Sequence, residues 1–360
     1  MARLIKVGII GCGGIAKGKH MPALQKVPDC EMVAFCDIIP ERAEAAKEKF
    51  GTPDAKTYVD YRELLKDPEI EVVHVCTPNR SHSFITVDAL EAGKHVMCEK
   101  PMAINSAEAK KMLDAAKRTG KKLTIGYQGR FRDDSIYMKK EADGGTFGDI
   151  YYAKATALRR RAVPTWGVFL NEYEQGGGPL IDIGTHALDL TLWMMNNYQP
   201  KYCLGTTYHK LNRDTDQANM WGNWDPEQFT VEDSAFGFVV MENGATIVLE
   251  SAWALNTHDV REAVTSICGT KAGADMMNGL RINGVRNGRQ YVLTPNFEAG
   301  GVAFNEGRKA GTPAEREERL WIEAVRDGTD PITRPEQAYT VTRILEGIYL
   351  SAKSGDIYRF

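Results

Sequence analysis

The 360-residue sequence has no stretch approaching 18 uninterrupted apolar residues, so no transmembrane helix is expected. It has no excess of charge of one sign. Its 45 Lys and Arg stand against 48 Asp and Glu, a net charge of −3, which excludes a strongly basic nucleic-acid footprint over the whole chain. It has no C-x-x-C pair. Seven cysteines lie scattered at positions 12, 30, 36, 76, 98, 203 and 268, a pattern that suits reduced, mostly buried thiols. There is no internal repeat and no low-complexity segment. No charged-then-apolar leader stands before the first strand-like run, so a cytoplasmic location is expected, with no membrane or nucleic-acid partner.

What is present is length for two domains of about 150 residues each. The composition, 43% apolar and 26% charged, is that of an ordinary soluble globular protein. A chain this long buries about three quarters of its unfolded surface and needs no disulfide or metal staple. Over the first 125 residues two periods alternate. Short apolar runs at 6–10, 31–36, 72–76, 95–98 and 122–125 are separated by helical patterns such as 41–50 and 106–119. The second helix begins after Asn105, with Glu108 three residues on, and stops at Gly120. Runs that are apolar throughout, alternating with helices, predict a doubly wound parallel sheet covered on both faces.

After Tyr127 the rhythm changes to long runs rich in β-branched and aromatic residues, at 149–160, 202–209, 233–241 and 246–254. The last two are joined by Glu242-Asn243-Gly244, a hairpin signal. Shorter runs at 264–268, 281–283 and 291–293 add strands, an apolar helix is expected near 180–195, and helices near 313–326 and 335–353 close the chain. The expected fold is therefore α/β. A Rossmann-type domain spans 1–125, and an α+β domain with a large open, mostly antiparallel sheet spans 126–360, its last helices free to pack back on the first domain. One face of such a sheet is left uncovered and seeks a partner, which predicts a homodimer or homotetramer packed through 149–160 and 233–268. The polar loop 213–230, with Trp221 and Trp224, fits a surface excursion or subunit contact as well as a substrate role.

The segment Gly11-Cys12-Gly13-Gly14-Ile15-Ala16 follows the first strand and opens a helix. In this G-x-G-x-x-A pattern the first glycine permits the tight turn, the second lets backbone approach a pyrophosphate, and the small last residue allows close packing. The helix N-terminus offers free N–H groups and a positive dipole end. A carboxylate, Asp37, ends the second strand, 24 residues after Gly13. It can accept from both ribose hydroxyls of NAD and would repel a 2′-phosphate, and Ile38-Ile39-Pro40 add no cation, so NAD is favoured over NADP.

Two further strands run into polar punctuation: Thr77-Pro78-Asn79, with His82 close behind, and Glu99-Lys100-Pro101. In an open parallel sheet ligands sit beyond the carboxyl ends of the strands, so both segments are candidates to face the cofactor. Taken alone, Lys100 could equally make a surface salt bridge to Glu99. In the expected helix near 180–195, which follows Gly176-Gly177-Gly178-Pro179, helical spacing places Asp182, His186 and Asp189 on one polar stripe. Three readings are open there: a satisfied structural network, a metal pair, or an acid–base group facing a substrate. No third His or Cys ligand of suitable spacing is evident, so no metal is expected. Histidine suits proton transfer near neutrality, which makes the acid–base reading the best fit.

Together these motifs resemble the Gfo/Idh/MocA oxidoreductases, the relatives of glucose–fructose oxidoreductase and inositol dehydrogenase, across essentially the whole chain. The resemblance implies a dinucleotide domain, an open-sheet second domain often used for oligomerisation, and hydride transfer between a sugar or cyclitol carbinol and nicotinamide. Gly11, Gly13, Gly14, Ile15, Asp37, Thr77, Pro78, Asn79, His82, Glu99 and Lys100 are then candidates for NAD binding. Lys100 matches the active-site lysine, Asp182 the substrate-binding aspartate and His186 the proposed general base. Tyr127 and Arg130, at the opening of the second domain, could approach the site. Trp166, in the Arg159–Gln175 loop, suits a sugar ring face or a packing role. Two other activities are known on this scaffold. One is a glycosidase that holds NAD through an oxidation–elimination cycle. The other is a dinucleotide-sensing regulator, against which the retained Lys100 and His186 argue.

Overall fold

A computed structural model describes residues 3–297 and 311–360. Two compact units form, Met1–Gln128 with Gly311–Tyr339, and Gly129–Ala310 with Thr340–Phe360.

The first unit holds six parallel strands: β1 (Ile5–Ile10), β2 (Cys30–Cys36), β3 (Lys56–Tyr58), β4 (Val72–Val75), β5 (His95–Cys98) and β6 (Leu123–Ile125). Their order, β3-β2-β1-β4-β5-β6, is the doubly wound one. β1, β4 and β5 are buried along almost their whole length because helices cover both faces. The helix Ser106–Thr119 begins and ends where local chemistry dictates. Asn105 accepts the N–H of Glu108 (2.8 Å), and Gly120 takes the left-handed conformation (φ 65°). β3 has no apolar run to announce it; it is a three-residue edge strand of Lys, Thr and Tyr. The helix Pro313–Asp327 belongs to this unit, and Trp321, Ile322 and Val325 enter the core around β1 and β2.

Among its described residues the second unit is built on nine strands. In sequence they are β7 (Ile150–Leu158), β8 (Pro200–Tyr208), β9 (Ser234–Met241), β10 (Thr246–Ala252), β11 (Arg261–Gly269), β12 (Ala272–Asp275), β13 (Arg281–Arg286), β14 (Arg289–Leu293) and β15 (Tyr358–Arg359). Their order in the sheet is β14-β13-β12-β11-β7-β10-β9-β8-β15, and every pairing is antiparallel except β7 with β10. The turn Glu242-Asn243-Gly244 closes the β9–β10 hairpin, with Gly244 at φ 85°. The helix Thr185–Met195 packs on β7 and β11 and buries Leu188, Leu190 and Leu192. Along β8 and β9 burial alternates, so Cys203 and Val239 face inward while Leu204 and Phe238 face solvent. No helix among the described residues is long and apolar enough to cross a membrane.

Candidate active site

In the first unit the order of strands reverses between β1 and β4, the position where doubly wound sheets take ligands. β1 runs into Gly11, whose φ of 90° disfavours any L side chain and whose Cβ would lie 2.6 Å from the carbonyl oxygen of Cys76. A Cβ on Gly13 or Gly14 would meet nothing within 4 Å, so the backbone here is open to a ligand. Ile15 beside them is exposed. The helix that follows contains a wide π turn, Ala16–His20. Asp37, at the end of β2, is buried; its Oδ2 accepts the N–H of Cys12 (2.8 Å) and its Oδ1 that of Ile39 (2.9 Å). Each carboxylate oxygen keeps a further lone pair, so ribose hydroxyls can still be accepted. Open glycine backbone, a helix N-terminus and this carboxylate fit a dinucleotide.

Thr77 is half-buried, Pro78 is exposed, and Asn79 opens the helix Asn79–Glu91. His82 is buried with its ring nitrogens 2.8 Å from the carbonyl oxygens of Thr77 and Pro101, and burial lowers its pKa. It therefore ties the loop after β4 to the loop after β5. The Lys100–Pro101 peptide is cis. Glu99 does not stand in solvent beside Lys100. Its carboxylate is buried, with Oε1 2.7 Å from both Lys19 Nζ and His20 Nε2, and Oε2 accepting the backbone N–H of Lys100 (3.0 Å). Lys100 itself is half-buried, and Tyr127 is buried.

In the second unit Asp182 and His186 follow one another through the segment Leu180–Met195. Asp182 lies in another wide turn, Leu180–Gly184, and His186 in the regular helix after it. Wide turns of this kind recur at functional sites because they re-aim side chains. Asp182 is nearly buried, and its Oδ2 accepts the indole N–H of Trp253 (3.0 Å). The start of this segment is held by Glu232, which sequence reasoning missed. Glu232 accepts from the N–H groups of Gly178 (2.8 Å) and Leu180 (3.1 Å) and from the Tyr349 hydroxyl (2.7 Å), and burial raises its pKa to about 7. Gly178 must be glycine because a Cβ would lie 2.3 Å from the carbonyl oxygen of Glu232.

The expected polar stripe divides. Asp189 faces the interior, where both its oxygens bind the Arg130 guanidinium (Nε–Oδ2 2.9 Å, Nη2–Oδ1 2.6 Å). Arg130 is 1% exposed and stacks on Trp193. The charge of Arg130, which the sequence reading allowed to approach a substrate, is thus paired with Asp189 inside the second unit. Trp166 is 51% exposed and meets Trp221 edge to face (5.0 Å) and Phe169 (5.9 Å); Phe169 in turn meets Trp253 (6.4 Å). The loops that carry Trp166 and Trp221 are bonded to each other, Asn219 with Val163 and Thr165 with the Trp221 carbonyl. A chain of rings thus runs from Asp182 outward to two exposed tryptophans.

Residues 5–127 match the family model described as oxidoreductase family, NAD-binding Rossmann fold, and residues 136–275 match the GFO/IDH/MocA C-terminal domain. A D-glucoside 3-dehydrogenase of Escherichia coli (strain K12) is 36% identical over 351 residues, 98% of this chain and 96% of the relative. An inositol 2-dehydrogenase of Salmonella typhimurium is 32% identical over 193 residues, 53% of this chain and 55% of the relative. Among solved structures, the aldose-aldose oxidoreductase of Caulobacter crescentus complexed with glycerol is 25% identical with a TM-score of 0.80, covering 99% of this chain and 100% of that one. A levoglucosan dehydrogenase in complex with NADH and levoglucosan shares the fold, with a TM-score of 0.83 at 22% identity over 99% of each chain. Sequence likeness along nearly the full length, on a fold whose glycine turn suits a dinucleotide, places this chain in the Gfo/Idh/MocA family of NAD-binding oxidoreductases.

Proposed function

We propose that the protein oxidises a secondary ring hydroxyl of a sugar, with a D-glucoside the first substrate to test, and reduces NAD in the process. The observation that carries this reading is the placement of Asp182 and His186 in successive turns of one buried segment, in a chain akin along its whole length to a D-glucoside 3-dehydrogenase. When bound, NAD supplies the hydride acceptor. His186 accepts the proton of the hydroxyl being oxidised. Lys100, as an ammonium, stabilises negative charge developing on that oxygen. Asp182, one oxygen held by Trp253, accepts from a second hydroxyl of the substrate. Trp166 lends an exposed ring to the sugar's C–H face.

Asp37 makes NAD rather than NADP the partner, because its carboxylate opposes a 2′-phosphate. The molecule assembles as a homodimer or homotetramer through the open face of its large sheet, where Leu204, Tyr208 and Phe238 stand exposed in adjacent strands. Seven free cysteines suit the reducing cytoplasm.

The test is NADH formation with a panel of glucosides, free pyranoses and inositols, run beside chromogenic glycosides. Substrate-dependent NADH supports the reading. Glycoside cleavage without net NADH overturns it in favour of an NAD-retaining glycosidase. His186→Ala should lower turnover about 10²- to 10⁴-fold, the usual range for losing a general base, with NAD affinity unchanged.

A further inference from the structure

Six ionisable side chains meet in the dry interior of the first unit. Lys19 and His20 come from the wide turn Ala16–His20, His74 from β4, Glu99 from the end of β5, and Glu317 and Glu318 from the helix Pro313–Asp327. None is more than 9% exposed. His20 lies at the centre. Its Nε2 is 2.7 Å from Glu99 Oε1 and its Nδ1 is 2.5 Å from Glu318 Oε1, while Glu318 Oε2 is 2.8 Å from His74 Nε2. Lys19 Nζ donates to Glu99 (2.7 Å) and lies 3.0 Å from Glu317 Oε2, off the line of a hydrogen bond.

Counting hydrogens assigns the charges. Both nitrogens of His20 face carboxylate oxygens. A neutral imidazole has one N–H and would turn a bare lone pair on the other carboxylate, so with Glu99 and Glu318 both held in the ionised form the two contacts need a doubly protonated ring. Burial opposes charge on His20, but the Cys76 sulfur and the Glu318 carboxylate beside it prevail over burial and over the Lys19 charge, and hold its pKa well above the usual value. Burial also opposes charge on Glu318, yet His74 and His20 hold it near 2. His74 meets Glu318 through Nε2, and its Nδ1 has no partner among the described residues. Burial raises the pKa of Glu317 to about 7.

A metal ion would be a different bridge, since one ligand atom each from His20, His74 and Glu318 lie within 4.8 Å of one another. Tetrahedral zinc with bonds of about 2.0–2.1 Å keeps its ligand atoms about 3.3 Å apart. Separations of 2.5 and 2.8 Å are those of shared hydrogens. The Lys19 ammonium beside Glu99 also disfavours a second cation.

Through Glu99 the network reaches the backbone of Lys100. The Glu99 oxygen not used by Lys19 and His20 accepts the backbone N–H of Lys100. Well-packed apolar residues would stabilise this core at least as well as buried ions, so stability alone gives no reason for the arrangement. We propose that His20, bridging Glu99 and Glu318, is a positioning residue for Lys100: it fixes the carboxylate that holds the Lys100 peptide, and with it the origin of the ammonium side chain. This rests on the reading of Lys100 as the active-site lysine.

The test has a spectroscopic and a kinetic arm, both on the full chain with NAD. In 15N-histidine NMR one of the seven histidine rings should stay doubly protonated at pH 8. That signal should vanish in His20→Asn and should titrate between pH 6 and 8 in Glu318→Gln. His20→Asn should lower kcat tenfold or more while the NAD dissociation constant moves less than threefold. His20→Gln, whose longer side chain carries the amide donor to about the position of Nε2, should recover part of the loss. A neutral His20 in the wild type at pH 7, full kcat in folded His20→Asn, or a stoichiometric metal in the purified protein would each overturn the proposal. If His20→Asn does not fold, the NMR signal and the kcat of His20→Gln decide. Lys100→Ala with full turnover would instead remove the catalytic reading of Lys100, and with it the positioning role, while leaving the His20 spectrum as expected.

Discussion

Trp253, just beyond the end of β10, donates its indole N–H to Oδ2 of Asp182 over 3.0 Å, and the indole is wholly buried. One oxygen of the proposed substrate-binding carboxylate is thereby held by the sheet rather than by its own helix. The start of the same segment, two residues earlier, is held by Glu232. The proposed substrate residues are thus presented by a helix pinned at two points to strand ends.

Trp253→Phe keeps the ring and removes the donor. A hydrogen bond to a charged group contributes about 1.5–3 kcal/mol, so the substrate KM should rise about tenfold or more. The NAD dissociation constant, read by calorimetry, should not change. An unchanged KM would mean that the Trp253 bond does not set the aspartate for substrate.

Arg130→Ala strands the buried Asp189 carboxylate. Burial already raises its pKa, against the pull of the Arg130 charge. Removing one partner of a buried pair costs about 3–5 kcal/mol, which denaturant unfolding should register. Arg130→Lys should recover little, because a point charge cannot make the two parallel bonds. Loss of activity at full stability would return Arg130 to the substrate.

The cofactor prediction concerns Asp37 and Ile38. Ile38 is 84% exposed, so a new side chain there disturbs no core. Asp37→Ser with Ile38→Arg should weaken NAD and strengthen NADP, reversing the preference. Calorimetry with both dinucleotides reads this directly, and tighter NADP binding by the wild type would overturn the role given to Asp37.

Glu232 predicts a pH dependence of stability. Its folded pKa is about 7 and its ordinary value 4.5. Between those values the unfolded chain has released the proton and the folded chain still holds it. The unfolded state binds fewer protons, so stability falls as pH rises through this window. The loss from this one group is on the order of 3 kcal/mol once pH exceeds 7. Glu232→Gln cannot ionise and should show a flatter decline between pH 5 and 8 by denaturant midpoint. Parallel declines in the two proteins would count against it.

Local pattern carried much of this protein. The alternation of apolar runs and helices made the parallel sheet legible, because both faces of its strands are buried and read as unbroken apolar segments. Asn105 and Gly120 marked a helix because caps are local chemistry. The glycine turn and Asp37 were legible for the same reason: a tight turn beside a phosphate admits few residue types. The Asp182 and His186 pair was visible through helical spacing. What that spacing could not show is that Asp189, on the same expected stripe, turns inward to Arg130, since the wide turn Leu180–Gly184 alters the rotation of the helix before it. Glu232, Trp253 and the network around His20 were invisible as well. Their partners are 52 to 298 residues away in the chain, and a buried charge is indistinguishable from a solvated one until the fold supplies its partner. Sequence determined which turns, caps and strands form, because those rest on neighbours within a few residues. Only the tertiary structure decided which ionised groups are buried together, because burial of charge is set by packing between distant segments.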